Sequence, residues 1–489
     1  MQPHASHIFS ASLAAAALLA IQPVSANPSL IAIGTFGNTT DFSTQTNLLE
    51  NGVDSNNVFG GIGSGLAWAG GTTFVATPDR GPNATTYTGG AAIDNTTSYT
   101  GRFETLNLAL TNTASGSLPY TLTPTLTGTT LLYSPTALNY GAATPAANDA
   151  SHYYFNGRSD NFGSTGGSTS ANVNNARFDP EAIRVSNDGQ SVFIADEYGP
   201  YVYKFDRASG QRTATYNLPA GYAIANQNSV GATEISSNTA SGRVTNKGME
   251  GLAITPDGTT LIGFMQSPLA QDGGDGGRAN RIVTIDIATG TTHEYVYDNF
   301  LIDKSKTYNS SEILAINSHE FLVLERDGKG KGDGTTAVVK RLYKIDLTGA
   351  VDIGALNAGT GISGEANLLT YAVTKSLFLD LRVALNTGGI TDANIPAKLE
   401  GATFGLDLSP GIHTLYVGND NDFVPGVAGP SNIYAFSFSD ADLGTTTANG
   451  TALSSPTVFQ QQAVPEPGTW SAIFLGALTL FGITHRRRL

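Results

Sequence analysis

The sequence predicts an all-β fold, a β-propeller with five countable four-stranded blades and room for a sixth. Two short phrases recur along the chain in alternation, at intervals of tens of residues. Self-similarity of this kind is the signature of a repeat architecture. Four-stranded antiparallel units arranged around a ring form propeller blades, which leave only short and protected sheet edges.

The first phrase has a Glu, a short apolar strand, a turn and a second strand that ends in acidic or amide residues. Its copies are PEAIRVSNDGQSVFIADEYGP from Pro180, MEGLAITPDGTTLIGFMQSP from Met249, SEILAINSHEFLVLERDG from Ser311 and LEGATFGLDLSPGIHTLYVGNDND from Leu399. A fifth copy, SGLAWAGGTTFVATPDRGP from Ser64, has Gly65 where the others have Glu. Polar turns between apolar strands predict an antiparallel pair in each copy.

The second phrase adds a hairpin to each unit, because alternating apolar residues flank a polar turn that usually contains Gly. It reads VYKFDRASGQRTATYNL from Val202, RIVTIDIATGTTHEYVY from Arg281, RLYKIDLTGAVDIGAL from Arg341 and IYAFSFSDADLGTTTA from Ile433. The strand SLIAIGTF at 29–36 is expected to complete the last blade and close the ring. The long interval between Gly65 and Glu181 has room for another blade or an insertion, and residues 159–175 within it are typical of a loop.

Composition excludes several classes of protein. Only 13% of the residues are charged and Gly is abundant, which suits a β-rich exported protein. The net charge of −14 argues against nucleic acid as a partner, because no basic stripe is present to neutralise phosphates. The chain has no Cys, so disulfides and thiolate metal sites are excluded.

Both ends contain predicted targeting signals. The apolar run at 9–26 ends in small residues and predicts a signal peptide, 1–26, that is cleaved after Ala26. At 463–489, a Pro-Glu-Pro motif precedes a short apolar helix at 471–483 and an Arg cluster. This tail resembles the PEP-CTERM sorting signal, with a plain membrane anchor as the alternative. The resemblance implies processing by an exosortase, a transient inner-membrane anchor through the C-terminal transmembrane helix, and delivery of a 27–462 domain to the cell surface or extracellular matrix.

The acidic positions of the first phrase are the candidate site. In a propeller the inner strands line the central channel, so residues at the start of these strands gather at one mouth of the channel. The candidates there are Glu181, Glu250, Glu312 and Glu400, together with the second-strand ends Asp196-Glu197, Gln266, Glu325-Arg326-Asp327, Asn419–Asp422 and Asp79-Arg80. Many hard oxygen ligands favour Ca²⁺ over Zn²⁺. A structural role stays open, since a Glu before an inner strand can also bond backbone amides or a neighbouring Arg.

Basic residues accompany this acidic set. Two Asp/Gly-rich loops, 271–281 and 325–334, lack the EF-hand spacing and are interpreted as surface turns. Candidates to hold a phosphate or carboxylate are Arg80, Arg278, Arg281, Arg326, Lys329 and Lys331. Basic groups beside a cation-loaded acidic site are what phosphate-ester hydrolysis requires.

Five motifs in a fixed order resemble the family "esterase-like activity of phytase" over residues 31–438. They are GSGLAW…TPDRGPN, FDPEAI…ADEYGP, KGMEGLAITPDG, SEILAI…LERD and KLEGATF…NDND. The resemblance implies a propeller related in architecture to calcium-dependent propeller phytases, with phosphoric-ester hydrolase activity. Gln266 and Gly65 depart from the acidic pattern and remove potential ligands.

The sequence therefore predicts an exported, phytase-like, Ca²⁺-dependent phosphomonoester hydrolase. The predicted metal ligands are Asp79, Glu181, Glu197, Glu250, Glu312, Glu325 and Glu400. The predicted catalytic residues are Arg80, Glu250 and Arg326, with the two arginines gripping the leaving oxyanion. The alternative is a non-catalytic surface propeller that binds a matrix polysaccharide.

Overall fold

Strands dominate the computed structural model, which describes residues 28–84, 96–113, 116–140, 144–158, 169–228, 231–443, 447–448 and 451–452. Twenty strands form five four-stranded antiparallel blades, and the short strand Ala372–Val373 adds in parallel to the outer edge of blade 3. From the channel outwards, blade 1 has Gly65–Gly70, Thr73–Thr77, Arg102–Asn112 and Tyr120–Leu131, and blade 2 has Pro180–Val185, Ser191–Asp196, Tyr201–Asp206 and Arg212–Asn217. Blade 3 has Met249–Ile254, Thr260–Met265, Ala279–Asp286 and Thr292–Asp298, and blade 4 has Asn309–Ala315, Glu320–Arg326, Lys340–Asp346 and Lys375–Asp380. Blade 5 has Leu399–Phe404, Ile412–Asn419, Asn432–Ser439 and Ser29–Thr35.

The first strand of the domain closes the ring. Ser29–Thr35 pairs antiparallel with Asn432–Ser439, so the two ends of the domain share one blade. The inner strands contact one another in chain order, and that of blade 5 returns to that of blade 1. The predicted propeller and its closure are confirmed, with five blades.

The long interval before Glu181 contains an extended hairpin rather than a sixth blade. Arg102–Asn112 and Tyr120–Leu131 pair along their whole length and form the outer half of blade 1. Beyond them, the described part of this interval contains only the short strand pair Tyr133–Ser134 and Tyr153–Tyr154.

The outer strand of blade 4 corrects a sequence prediction. The hairpin predicted directly after Asp346 is wrong, because Lys340–Asp346 pairs with Lys375–Asp380 instead. The segment between them packs on blade 3, where Ile353 and Leu368 bury against the neighbouring sheet. Its apolar residues thus pack against blade 3, and the chain returns to blade 4 only after this segment.

The remaining elements are short. The α-helices are Gly231–Ser237, Leu356–Gly359, Glu365–Leu368, Leu381–Thr387, Pro425–Ala428 and Asp440–Leu443, and the 3₁₀ turns are Ala220–Tyr222, Ala270–Asp272, Ile302–Lys304 and Leu369–Tyr371. Minor strands are Phe300–Leu301, Lys306–Thr307, Ala372–Val373, Thr447–Ala448 and Thr451–Ala452. None of the helices in the described part has the length and hydropathy to cross a bilayer. The predicted signal peptide and tail helix lie outside the described residues.

Glycines allow the inner strands to approach closely around the channel. A Cβ atom at Gly65 would lie 2.9 Å from the Cα of Ala182, and one at Gly251 would lie 2.9 Å from the amide nitrogen of Ile313. A Cβ at Gly401 would lie 2.8 Å from a backbone nitrogen of blade 1. These separations are shorter than non-bonded contacts between such atoms, so a five-bladed ring of this width requires Gly at these three positions.

Candidate active site

A β-bulge marks the start of the inner strand in blades 2 to 5. The bulged residue is Glu250 in blade 3 and Ser311 in blade 4. Glu312 therefore lies one position further along its strand than Glu250 does. The serine, and not the predicted glutamate, occupies the position nearest the channel mouth in blade 4.

Packing between the inner strands supports this register. Gly65, Gly251 and Gly401 each lie against the backbone of the neighbouring inner strand, and they are therefore equivalent. The residue that corresponds to Glu250 in blade 1 is Ser64, so the expected equivalence of Gly65 with the glutamates is wrong by one residue. From blade 1 to blade 5, the mouth positions are Ser64, Glu181, Glu250, Ser311 and Glu400.

A second group of side chains lies where the second strands of the blades end. The same register makes five residues equivalent, namely Asp79, Glu197, Gln266, Arg326 and Asp420. Blade 4 thus contributes a cation where the other blades contribute acids or an amide. The channel mouth is chemically unequal around its circumference.

Among the described residues, acidic side chains gather at the mouth in three acid sets, in each of which one oxygen per residue lies within 4.8 Å of the others. The Glu197 set is Asp179, Glu181 and Glu197; the Glu250 set is Glu181, Glu250 and Glu400; the Asp420 set is Asp79, Asp420 and Asp422. Glu181 belongs to two sets. The sequence prediction missed Asp179, although its place two residues before Glu181 was a usable signal.

Two buried carboxylate oxygens in these sets have no hydrogen-bond partner among the described residues. They are Oε2 of Glu197 and Oε2 of Glu250. Their companion Oε1 atoms accept hydrogen bonds, from the Gly248 amide at 3.2 Å and from the Gln266 side chain at 2.6 Å. A buried polar atom without a partner is costly, so each free oxygen is a candidate ligand atom for a cation.

Burial and mutual repulsion raise the pKa values of the mouth carboxyls. For Glu181 and Glu197 the pKa lies well above its ordinary value, first because of burial and then because of neighbouring carboxylates. The same causes raise the pKa of Glu250 to about 8, and burial raises that of Asp420 to about 7. A bound cation would reverse these shifts, since an adjacent positive charge favours the ionised form.

The two arginines predicted from the sequence both lie at the mouth. Arg326 donates from Nε to Ser311 Oγ at 2.8 Å, forms an ion pair with Glu400, and lies 3.7 Å from Glu250 Oε1. Arg80 donates its backbone amide and its guanidinium to the Asp179 carboxylate, at 3.0 and 2.9 Å. Both cations therefore contact members of the acid sets.

A third cation at the mouth was not predicted from the sequence. Lys398 Nζ lies 2.8 Å from Asp420 Oδ2 and 2.6 Å from Asp422 Oδ1. The backbone at Asp422 and Phe423 adopts positive φ angles of 49° and 56°, which are uncommon for residues other than Gly. This turn places the Asp422 carboxylate beside the lysine.

The other basic candidates are not brought to the acid sets. Arg278 pairs with Asp298, and Arg281 pairs with Asp272 and Glu294, all within or beside the outer half of blade 3. The ion pairs of these two arginines connect the strands of blade 3 to the adjacent loops. The Asp/Gly-rich loop at 271–281 thus has a structural role through Arg281. Lys329 and Lys331, from the other loop, belong to none of the acid-set contacts among the described residues.

Glu312 and Glu325 lie outside the three acid sets. Glu312 pairs with Arg184 at 2.9 Å and accepts backbone amides of Leu252 and Ile313 at 3.2 and 2.9 Å. That is the structural role left open for a glutamate next to an inner strand. Glu325 is paired with Lys375 and accepts the Tyr297 hydroxyl between blades 3 and 4.

Fold and site together define a five-bladed β-propeller with an acidic channel mouth. The phytase-like family, described as "esterase-like activity of phytase", matches residues 57–423. Because the match extends over most of the chain, the protein belongs to this family of hydrolase-like propellers.

Comparison with individual proteins gives more distant likenesses. An uncharacterized secreted protein of Arthroderma benhamiae is 35% identical over 195 residues, which are 34% of this chain and 37% of the relative. The chain thus matches little more than a third of that relative's length. A periplasmic gluconolactonase of Pseudomonas aeruginosa is 11% identical, with 88% of this chain and 96% of the other covered and a TM-score of 0.31. A putative 6-phosphogluconolactonase of Bacteroides uniformis is 11% identical, with 83% and 95% covered and a TM-score of 0.30.

Proposed function

We propose that this protein is a divalent-cation-dependent hydrolase of phosphate esters, with its active site at the acidic channel mouth. One observation carries the proposal: the Glu197 and Glu250 sets share Glu181, and each includes a buried carboxylate oxygen without a partner among the described residues. Membership of the phytase-like family supports ester hydrolysis as the reaction class.

The donor atoms suit Ca²⁺. Every ligand atom of the acid sets is a carboxylate oxygen, and Ca²⁺ prefers six to eight oxygen ligands in flexible geometry. Asp179, Glu181 and Glu197 would hold one cation, with Glu250 and Glu400 contributing on the other side of Glu181. The pKa values of Glu181 and Glu197 are raised, so an adjacent positive charge would stabilise the ionised form of these two carboxyls most.

The charge balance of the mouth favours a cation-dependent reaction. The carboxylates Asp79, Asp179, Glu181, Glu197, Glu250, Glu400, Asp420 and Asp422 outnumber the cationic side chains Arg80, Arg326 and Lys398. Without bound cations this surface presents carboxyl groups, ionised or protonated, where a phosphate ester needs positive charge. We therefore expect substrate binding, and not only the chemical step, to require the metal.

The residues have separable roles in hydrolysis. When bound, a divalent cation supplies Lewis-acid polarisation of a phosphoryl oxygen and lowers the pKa of water. Arg326 and Arg80 would donate N–H groups to phosphoryl oxygens as charge develops on them. A mouth carboxylate oxygen that no cation occupies would accept a proton from the attacking water as the new P–O bond forms. The ester P–O bond then breaks, and the leaving alkoxide takes up that proton and departs as the alcohol.

The experiment is a hydrolysis assay of the purified full-length protein. p-Nitrophenyl phosphate, phytate and p-nitrophenyl acetate are each offered with Ca²⁺ and with EDTA. We expect turnover of at least one phosphate ester with Ca²⁺ and its loss with EDTA. Turnover of the acetate alone would exclude phosphate esters as substrates, and no turnover of any ester would favour the non-catalytic, polysaccharide-binding alternative.

Matched variants locate the reaction. Glu250→Gln removes a charged ligand of the Glu250 set and should lower kcat/KM at least 100-fold. Glu325→Gln changes an equally buried glutamate outside the acid sets and should retain turnover. Equal losses in both variants would place the chemistry elsewhere.

Export to the cell surface or matrix is proposed with this function. The Arthroderma benhamiae relative is described as secreted, which supports export. Fractionation of cells that express the full chain, with immunodetection of both ends, tests delivery and the predicted exosortase cleavage of the tail. Retention of intact chain in the cytosol would contradict export.

A further inference from the structure

Lys398 occupies a position that in another blade is acidic. It directly precedes the inner strand Leu399–Phe404 of blade 5, as Asp179 directly precedes Pro180–Val185 of blade 2. The two strands begin in the same register, because Leu399 and Pro180 pair with the last residues of their second strands. One position therefore supplies an acid to the Glu197 set and a cation to the Asp420 set.

The lysine ammonium fills the Asp420 set. Its Nζ atom lies 2.8 Å from Asp420 Oδ2 and 2.6 Å from Asp422 Oδ1. The remaining member, Asp79, accepts the Gly81 amide at 2.9 Å. In the described part of the chain, the Glu197 and Glu250 sets each have a buried oxygen without a partner, whereas the Asp420 set has none.

We infer that Lys398 is a tethered cation that occupies the Asp420 set and confines divalent cations to the two sets that share Glu181. The inference rests on the cation binding of the proposed function. It explains why three similar acid sets at one mouth are not equivalent. Lys398 thus determines where metal, and with it the substrate, is held.

The charges at the Asp420 set allow the lysine ammonium to compete with a divalent cation. An ammonium group bonded to two carboxylates supplies one positive charge at the place where a divalent cation would supply two. The Lys398 side chain is 33% exposed, so it can be replaced without opening a cavity in the core. Its removal leaves three carboxylates with oxygens within 4.8 Å of one another. Such a group repels itself strongly unless a cation binds or protons are taken up.

The test counts bound Ca²⁺ in the absence of any substrate. Wild-type protein and Lys398→Met are equilibrated with the same free Ca²⁺ by dialysis, and metal per chain is measured. We expect the variant to bind one Ca²⁺ more than the wild type. Lys398→Arg keeps the charge and should bind the wild-type number, and Lys329→Met controls for the loss of a lysine outside the acid sets.

The outcomes separate this inference from the proposed hydrolysis. Equal Ca²⁺ counts in Lys398→Met and wild type would overturn it, even if the wild type hydrolyses esters. An additional Ca²⁺ in a protein that hydrolyses nothing would leave the inference intact and remove the proposed function. Should Lys398→Met fail to fold, Lys398→Gln serves in the same comparison. The combined change Lys398→Met and Asp422→Asn should lose the additional ion.

Discussion

Arg184 and Glu312 form an ion pair 2.9 Å apart inside the ring of inner strands. The Arg184 guanidinium also donates to the backbone carbonyls of Leu66, Ile313 and Ala402, which belong to three other blades. Both side chains are almost completely buried. The pair therefore satisfies backbone groups of inner strands that have no ladder partner on the channel side, and it connects the blades through the channel.

Removal of one partner of this pair should destabilise the propeller strongly. Arg184→Met leaves the Glu312 carboxylate buried without a counter-charge, which costs about 3–5 kcal/mol in comparable cases. Denaturant unfolding measures the loss. The control Arg278→Met breaks the exposed pair with Asp298 and should cost at most about 1 kcal/mol. Similar values for the two variants would contradict a connecting role for Arg184.

The close approach of the inner strands predicts that a larger residue at Gly251 lowers stability. Gly251→Ala places a Cβ 2.9 Å from the Ile313 nitrogen, where backbone and not a flexible side chain must move. We expect a loss of about 1–3 kcal/mol, the usual cost of overpacking. Gly37→Ala is the matched control, because no atom lies within 4 Å of its added Cβ. Equal unfolding midpoints for both variants would show that the inner strands can separate at no cost.

Stability should fall with rising pH because of Glu104. Burial, followed by the nearby Asp41 charge, raises the pKa of Glu104 from 4.5 to about 8. The folded protein therefore binds this proton more tightly than the unfolded chain does, and its contribution to stability is complete below about pH 4.5 and is lost as pH rises towards about 8.

Glu104→Gln should remove this dependence. The amide stays neutral at every pH and can still accept the hydrogen bond that Thr129 donates to Glu104. Since one unit of pKa difference corresponds to about 1.4 kcal/mol, we expect the variant to be more stable than wild type at pH 8 and similar to it at pH 4. Unfolding free energies at the two pH values decide this, and parallel pH profiles for the two proteins would contradict the assignment.

Much of the fold could be predicted from the sequence because each blade repeats its turn and strand pattern. The closing strand at 29–36 was predicted because an isolated apolar strand at the start of a domain needs a sheet to join. The outer strand of blade 4 could not be predicted. The apolar residues after Leu347 suit a strand equally well, and only the surface of blade 3 decides that they pack there.

The sequence predicted which residue types gather at the candidate site, but it did not predict the register of every inner strand. The sequence pattern matched Glu312 with Glu250 because each stands next to a short apolar run, but the shorter turn of blade 4 shifts its strand by one residue. That shift turns Glu312 to the Arg184 pair and leaves Ser311 at the mouth. Lys398 was missed because the sequence does not show that the fold brings a lysine before this strand into contact with Asp420 and Asp422.

The central claim is that the acid sets sharing Glu181 bind divalent cations, and calorimetric titration with Ca²⁺ tests it most directly. Wild-type protein should bind Ca²⁺, and Glu181→Gln should lose at least tenfold in affinity because Glu181 belongs to both sets. Glu325→Gln should bind as the wild type does, since Glu325 lies in none of the acid sets and its Oε1 atom is paired with Lys375 and Tyr297. A wild type that binds no Ca²⁺, or a Glu181→Gln variant that binds it unchanged, would contradict the account.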